Sequence, residues 1–232
     1  MIKTGDEDII LCGGVDAPIT PLMVASFYAA RLLSSIQIPE KASRPFDKLR
    51  CGGVISEGCG VIILEEMRSA LFRGAKIYGE IIGYGNVSNK NGQSVDGVYF
   101  AMKSAIEDAR LNLADIDYIS AHAPSDPELD KEETIAIKKV FGERAYSIPV
   151  SSIKSMIGNP IAASGVLQLI SCLWAIEKNY IPPTINYEYS DPECDLDYVP
   201  NFPRKYVVST AMVNSHGLGA ANSSIILRRV EL

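Results

Sequence analysis

The stretch IDYISAHAPSDPELDKEETIAIKKVFGERAYSIPVS, residues 116–151, carries the pattern from which the fold class follows. Ile116–Ala121 is a short run of the kind found in buried strands. Side chains then repeat every three or four positions, which predicts a helix over Pro127–Phe141 that ends at Gly142. Ile148–Ser151 is predicted to be the next strand. A strand, a helix and a second strand in succession indicate an α/β layered unit.

The same alternation continues on both sides of this stretch, in a unit predicted to begin at Ala75. Its other predicted elements are a strand at Lys76–Tyr84, helices over Val95–Arg110 and Ala162–Glu177, and strands at Tyr206–Asn214 and Ser223–Arg229. The last two strands flank a glycine-rich turn and are expected to form a hairpin.

The first 74 residues predict a smaller set of elements. These are a buried strand at Asp8–Cys12 that turns at Gly13-Gly14, a helix over Pro21–Ser34 capped by Thr20, a loop over Gln37–Asp47, short strands at Val54–Ile55 and Gly60–Leu64, and a helix over Glu65–Arg73 that ends at Gly74.

Composition and charge exclude several classes of protein. The 232 residues are 47% hydrophobic and 22% charged, which is ordinary for a globular chain and rules out collagen, coiled coil and intrinsic disorder. A formal net charge of −6 argues against an electrostatic grip on nucleic acid or anionic lipid.

The cysteines and the N-terminus indicate a reducing, cytoplasmic location. There are five cysteines, with no CxxC pair and no Cys/His cluster at zinc spacing, so we expect no metal. The start MIKTGDEDII has no long apolar region and does not resemble a signal peptide. The strongly apolar stretch Val166–Ile176 is too short to span a bilayer, so no membrane insertion is expected.

Two histidines are candidates for chemistry, because each lies at the carboxyl end of a predicted strand. In α/β sheets, this edge is where sites form. Each of His122 and His216 has an alternative explanation as a turn histidine that hydrogen-bonds a backbone carbonyl.

Two further segments precede or follow predicted strands. Lys154–Pro160 (KSMIGNP) leads into a helix whose N-terminus could hold an anion or a developing oxyanion. Alternatively, the same residues could be a solvated lysine and an ordinary capping turn. Gly217–Asn222 (GLGAAN) could bring backbone amides to a ligand, or could be a plain hairpin turn.

These motifs together resemble those of the β-ketoacyl-acyl-carrier-protein synthases, close to their KAS II-like branch and to the related chain-length factors. The segments that carry the resemblance are GGVDAPITPL (13–22), RPFDKLRCGGVISEGCGVIILEE (44–66), SAHAPSD (120–126), PVSSIKSMIGNP (149–160), IPPTINYEYSDPECDLDYVPN (181–201) and NSHGLGAAN (214–222).

The resemblance implies a thiolase-like α/β fold of two related halves, usually a homodimer or a paired heterodimer. Residues 1–74 would be the closing part of the N-terminal half, and residues 75–232 a complete C-terminal half. The family's nucleophilic cysteine lies upstream of anything that matches Met1, so we expect it to come from outside these residues.

The resemblance also implies roles for single residues. His122 matches the first active-site histidine, Lys154 a buried lysine, and Glu133 an acidic residue of the same network. Without the resemblance, Glu133 belongs to a charge run that simply suits a helix N-terminus. Asn159 stands where a second histidine is expected; its amide can donate a hydrogen bond but cannot carry a proton.

Other positions depart from the family pattern. Pro124 and Asp126 replace two threonines that usually touch the pantetheine arm. In the oxyanion and gating loop, Gly217–Gly219, Leu218 replaces a gating phenylalanine. His216 replaces another phenylalanine, and we predict that it compensates for the proton handling lost at Asn159.

The implied substrates are carrier-protein thioesters, so phosphopantetheine would arrive on the acyl-carrier protein and no cofactor would be bound. The expected partners are that carrier and either a polypeptide that completes the N-terminal half or a ketosynthase. Lys41, Arg44, Lys48 and Arg50 could guide an acidic carrier, or could be an ordinary solvated loop.

Three functions remain open at this point. The chain could be part of a ketoacyl synthase, a non-catalytic partner that shapes the acyl tunnel of a paired ketosynthase, or a truncated reading frame with no role of its own.

Overall fold

A five-stranded mixed sheet with helices on both faces is the centre of the computed structural model, which describes residues 1–88, 95–217 and 219–231. The strands are β1 (Ile9–Asp16), β2 (Gly58–Glu65), β3 (Glu80–Ser88), β4 (Tyr118–Ser120), β5 (Val150–Ser151), β6 (Tyr180–Ile181), β7 (Arg204–Lys205), β8 (Thr210–His216) and β9 (Ala221–Arg228). The α-helices are α1 (Pro21–Ala29), α2 (Pro39–Ala42), α3 (Met67–Phe72), α4 (Val95–Ala109), α5 (Pro127–Phe141), α6 (Lys154–Ile157) and α7 (Ser164–Lys178).

The order of the central sheet is β3-β9-β8-β4-β5. β3, β9 and β8 are antiparallel, whereas β8, β4 and β5 are parallel. The predicted hairpin is confirmed, since β8 pairs with β9 up to His216 opposite Asn222. The carboxyl ends of β4 and β8 therefore lie side by side, and each leads into a histidine.

Alternate residues of the central strands supply two hydrophobic cores. Ile119 of β4 and Met212 of β8 pack with the residues of α4 and α5 on one face. Tyr118 and Val213 pack with the residues of α7 on the other face. Full burial of a side chain such as Ile119 contributes about 2 to 3 kcal/mol, so this two-sided burial fixes the register of β4 and β8.

The predicted strand at Asp8–Cys12 is longer and more exposed than expected. β1 passes straight through Gly13 and Gly14 and pairs with β2 in a separate two-stranded ribbon. The glycines allow close approach instead of a turn: a Cβ on Gly14 would lie 2.3 Å from the backbone oxygen of Ala162. Alternate side chains such as Leu11 are exposed, so the expectation of burial on both faces was wrong.

Other predictions near the N-terminus need smaller corrections. The cap at Thr20 is confirmed, but α1 ends at Ala29 because the chain turns at Arg31, whose φ is 58°. The expected loop over Gln37–Asp47 contains the short helix α2, and Val54–Ile55 forms only an isolated bridge. α3 is shorter than predicted, because the Glu66 side chain caps its first turn.

In the second unit, β3 begins four residues later than the predicted Lys76. The helix boundaries agree to within a residue or two, and the predicted unit boundary at Ala75 falls between α3 and β3, where it stays a prediction.

The segment Ile161–Lys178, which includes α7, is the one part of the described residues that is long and apolar enough to cross a membrane. Its apolar side chains have partners within the protein. Leu169, Cys172 and Ile176 are buried in the core beneath the central sheet, and α7 also packs against β2 of the ribbon. This layered packing accounts for the composition of α7.

Candidate active site

A cavity of about 330 Å³ lies at the carboxyl ends of β4 and β8. It brings together His122, His216 and Asn159, which the sequence placed in three separate segments, along with Pro124 and Asp126. The first 74 residues also contribute to its lining, which sequence reasoning missed; their side of the cavity is formed by Phe27, Leu32, Leu33, Gly53, Val54 and Ile55. Residues from both predicted halves thus build one site.

Glu133 holds the turn that follows β4. Its carboxylate is fully buried on α5 and accepts hydrogen bonds from the backbone N–H of His122 (3.0 Å) and Ala123 (2.9 Å). The side-chain amide of Asn214 on β8 donates to it as well, at 3.1 Å. Glu133 lies beyond the first turn of α5, and these buried hydrogen bonds, more than the helix dipole alone, account for an acidic residue at this position.

The hydrogen bonds of His122 define which of its ring nitrogens carries the proton. Its Nδ1 accepts from the backbone N–H of His216, at 3.2 Å. A neutral imidazole that accepts at Nδ1 has its proton on Nε2. His122 is thus a hydrogen-bond donor at Nε2, and its Nδ1 does not donate to a backbone carbonyl, which was the alternative explanation.

The two imidazole rings stack, with centroids 4.6 Å apart and planes 17° from parallel. Burial, followed by the positive charge of Lys154, holds the pKa of His122 well below its usual range. Burial also lowers the pKa of His216, although Glu133 opposes this and Lys154 adds to it. Both rings are therefore neutral near pH 7.

Lys154 is fully buried, so the solvated-lysine explanation was wrong. Its ammonium donates to the backbone oxygen of His122 at 2.6 Å and approaches Gln168 Oε1 at 3.4 Å. Burial lowers the pKa of Lys154 to about 8, while Glu133 and Asp130 oppose the shift. Lys154 and Glu133 thus fix the main chain of His122 from opposite sides.

Gln168 is a site residue that sequence reasoning missed. It is fully buried on α7, and its amide donates to the backbone oxygens of Ala121 (2.8 Å) and Asn214 (3.2 Å). It therefore ties the end of β4 to the end of β8. A single glutamine within an otherwise apolar helix face was the signal that could have revealed it.

Asn159 and Asp126 lie at the cavity wall. The backbone N–H of Asn159 donates to the Val54 oxygen at 2.7 Å, and its side-chain oxygen is buried with no partner among the described residues. Asp126 uses Oδ1 to cap α5, where the backbone N–H groups of Glu128 and Leu129 donate to it at 3.0 Å. Asn159 thus lines this site and keeps a side-chain oxygen without a hydrogen-bond partner among the described residues.

The glycine-rich loop is a hairpin turn next to the cavity. Gly217 contributes to the lining, and its backbone N–H donates to the Ala221 oxygen at 2.8 Å. Gly219 lies in the turn, and Leu218 lies outside the described residues. The predicted oxyanion role of this loop therefore stays a prediction.

The two arginines of the predicted basic patch are buried, whereas Lys41 is half-buried and Lys48 is exposed. Arg44 is buried and pairs with Asp47 at 2.9 Å and Glu188 at 3.2 Å. Arg50 is also buried and pairs with Asp191 at 2.5 Å. These guanidinium groups hold loops together, so neither the docking patch nor the solvated loop describes them.

None of the cysteines lines the cavity. Burial raises the pKa of Cys172 to about 12 and that of Cys194 to about 11. Hydrogen bonds with Ser34 and Ser35 outweigh burial at Cys51 and lower its pKa. Within the part of the chain that the structure describes, no group of three His, Cys, Asp or Glu side chains could hold a metal.

Comparisons with known proteins identify the class to which this fold and site belong. The family model for the β-ketoacyl synthase N-terminal domain matches residues 1–70, and the model for its C-terminal domain matches residues 78–188. Together, the two models cover most of the chain. The chain belongs to the β-ketoacyl synthase family and has its thiolase-like α/β fold.

Two curated relatives are similar over almost the whole chain. One is the tetracenomycin polyketide synthase ketoacyl synthase alpha subunit of Streptomyces glaucescens, which is 45% identical over 99% of this chain and 55% of its own length. The other is 3-oxoacyl-[acyl-carrier-protein] synthase 2 of Synechocystis, which is 43% identical over 100% of this chain and 57% of its own length. The chain thus spans about half the length of these relatives.

Two solved structures superimpose closely. A type II polyketide synthase acyl-carrier protein in complex with its ketosynthase bound to the hexaketide gives a TM-score of 0.96 at 41% identity, over 99% of this chain and 58% of that chain. The ishigamide ketosynthase/chain length factor gives 0.93 at 36% identity, over 99% of this chain and 56% of that chain.

Proposed function

We propose that this chain supplies the histidine and lysine side of the active site of a β-ketoacyl synthase, which condenses an acyl thioester with a malonyl thioester in fatty-acid or polyketide synthesis. The observation that carries the proposal is the fixed state of His122. Its Nδ1 is occupied by the His216 backbone N–H, so its Nε2–H is the donor at a buried cavity.

A fixed neutral donor suits the decarboxylation step. When the bond between the malonyl methylene and its carboxylate breaks, carbon dioxide leaves and the electron pair becomes an enolate. The Nε2–H of His122 stabilises the negative enolate oxygen without giving up its proton. The enolate carbon then forms a bond to the acyl carbonyl carbon, and the acyl-bearing sulfur leaves as a thiolate.

That acyl-bearing sulfur is proposed to be a cysteine of a polypeptide segment that completes the N-terminal half. Two observations support such a partner. The relatives are about twice as long, and the β1-β2 ribbon exposes apolar side chains, with Leu11 71% and Ile63 62% exposed. Such a completed fold would act as a homodimer or a heterodimer in the cytoplasm.

The proposed substrates are thioesters of the phosphopantetheine arm of an acyl-carrier protein. One of the solved relatives contains a carrier protein in complex with its ketosynthase, which supports the assignment. The apolar side chains of Leu32, Leu33 and Pro124 suit the uncharged part of an acyl-pantetheine chain. Asp126 would replace a neutral hydroxyl in this channel.

A second candidate function is favoured by Asn159, which cannot carry a proton in acid–base work. In this alternative, the chain is a non-catalytic partner that shapes the acyl tunnel of a paired ketosynthase, as in a chain-length factor. The similar structures include the ishigamide ketosynthase/chain length factor.

Release of labelled carbon dioxide from malonyl-carrier protein separates the two functions. The protein is purified with its partners from its own cells, as wild type and as His122→Ala. Loss of one preorganised donor should lower the rate of release about 100- to 1,000-fold. Lys103→Gln, at an exposed position of α4 outside the cavity, is the matched control and should leave the rate unchanged.

Equal rates in wild type and His122→Ala would reject the catalytic function. If product length nevertheless changed in that variant, the tunnel-shaping function would take its place.

A further inference from the structure

His216 is the cavity residue whose chemistry the proposed function leaves unused. Its ring lines the cavity next to His122, and the residue is only 8% exposed. Among the described residues, its Nε2 is buried without a hydrogen-bond partner. Only its backbone N–H has a role so far, as the donor to His122 Nδ1.

An unpartnered buried imidazole nitrogen is costly, because the lost hydrogen bond to water is not replaced. An aromatic ring without nitrogen would stack on His122 equally well and avoid this cost. The imidazole of His216 is therefore better explained by a ligand than by packing.

The other histidine, carboxylate and amide side chains of the cavity are already committed or cannot carry a proton. His122 accepts at Nδ1 and donates at Nε2, and Asp126 caps α5 with its Oδ1. Asn159 has an amide only. His216 is thus the second imidazole that can hydrogen-bond a substrate in this site.

The spacing of the two rings matches the chemistry of a malonyl thioester. This substrate has two oxygen-bearing groups, a thioester carbonyl and a carboxylate, on either side of one methylene carbon. The two stacked imidazole rings, whose centroids are 4.6 Å apart, place two hydrogen-bonding side chains next to each other in the cavity. An acetyl thioester has the carbonyl but lacks the carboxylate.

We propose that the imidazole of His216 hydrogen-bonds the carboxylate of the malonyl group while His122 holds the thioester carbonyl, so that His216 selects malonyl over acetyl thioesters. This inference rests on the proposed function. It assigns substrate selection to a side chain that the family resemblance gives no such role.

The test compares the binding of malonyl-pantetheine and acetyl-pantetheine to the purified protein by isothermal titration calorimetry. His216→Phe keeps a flat ring against His122 and keeps the backbone N–H, but removes the ring nitrogens. It should weaken binding of malonyl-pantetheine at least tenfold and change binding of acetyl-pantetheine by less than twofold. His122→Gln is the matched comparison and should weaken both ligands alike.

Equal weakening of both ligands by His216→Phe, or no weakening of either, would overturn the inference. If His216→Phe does not fold, His216→Gln restores a hydrogen-bonding side chain and should retain part of the preference for malonyl-pantetheine; loss of that preference would count against the inference. Failure of the wild-type protein to bind either ligand would overturn the proposed function itself.

Discussion

Replacement of Glu133 by Gln should destabilise the protein far more than its small change in shape suggests. The carboxylate accepts three N–H groups in the core: the backbone of His122 and Ala123, and the side chain of Asn214. The amide oxygen of a glutamine can keep the two bonds made by Oε1. Its NH₂ group must then face the backbone N–H of Ala123, so two donors oppose each other.

Two costs add up in this variant. One buried donor is left without an acceptor, at about 1 to 3 kcal/mol. The buried ammonium of Lys154 also loses the anion that opposes the fall of its pKa. Glu133 is a charged neighbour of Lys154 and not its ion-pair partner, so this second cost lies below the roughly 3 to 5 kcal/mol of a broken buried ion pair, and Lys154 can limit it further by losing its proton. We therefore expect Glu133→Gln to lower the free energy of unfolding by about 3 to 5 kcal/mol at pH 7.

Urea denaturation followed by circular dichroism measures this loss. Glu132→Gln, the neighbouring half-buried position, is the matched control and should change stability by less than about 0.5 kcal/mol. The cost of Glu133→Gln should also shrink between pH 7 and pH 9, because the pKa of Lys154 is lowered to about 8 and its charge is then lost in the wild type as well. A loss no larger than that of the control would refute the account of Glu133.

The remaining predictions concern acid stability and close packing. The two histidines have folded-state pKa values below their unfolded values near 6.5, so the unfolded chain binds more protons and stability should fall as the pH drops from about 6.5 to 4.5. A variant with both His122→Gln and His216→Phe should show a shallower dependence of stability on pH, by up to about 1.4 kcal/mol per pH unit for each histidine removed. An unchanged dependence on pH would contradict this prediction. Gly85→Ala should lower the melting temperature by several degrees, since its Cβ would lie 2.1 Å from the backbone oxygen of Ala101, whereas Gly219→Ala meets nothing within 4 Å and should melt like wild type.

The parts of the fold that the sequence predicts well are the regularly patterned ones. α5 starts and ends at its predicted residues, and α4 agrees with its prediction over Val95–Ala109, because their buried faces repeat with the helical period. The β8–β9 hairpin follows from two apolar runs around a glycine-rich turn. Local pattern and tertiary packing agree in these elements.

Predictions failed where distant backbone contacts decide the outcome. Two consecutive glycines, Gly13 and Gly14, are typical of a turn. They lie within β1 instead, because other backbone segments approach them closely. Arg44 and Arg50 lie in a sequence segment typical of a solvated basic loop. In the structure, however, they are buried and form ion pairs with carboxylates far along the chain. No local pattern contains these partners.

The sequence indicated which side chains could form the candidate site, but not how these side chains contact one another. The structure brings His122, Asn159 and His216 to one cavity, and Lys154 and Glu133 hydrogen-bond the backbone of His122; the roles expected for these residues stay predictions. The stacking of the histidines and the role of Gln168 depend on which strands become neighbours in the sheet. That information comes from the topology and not from spacing along the chain.

Nuclear magnetic resonance of the two histidine rings shows directly whether His122 is a fixed hydrogen-bond donor, because it reports which ring nitrogens carry a proton. Histidine labelled with ¹⁵N gives ring signals for only two residues, because the chain contains only His122 and His216. We expect His122 to carry its proton on Nε2, with Nδ1 unprotonated, and to keep this state throughout the pH range in which a free imidazole titrates. A proton on Nδ1, or ordinary titration of His122 near pH 6.5, would contradict the central claim that this ring is a fixed donor for the substrate.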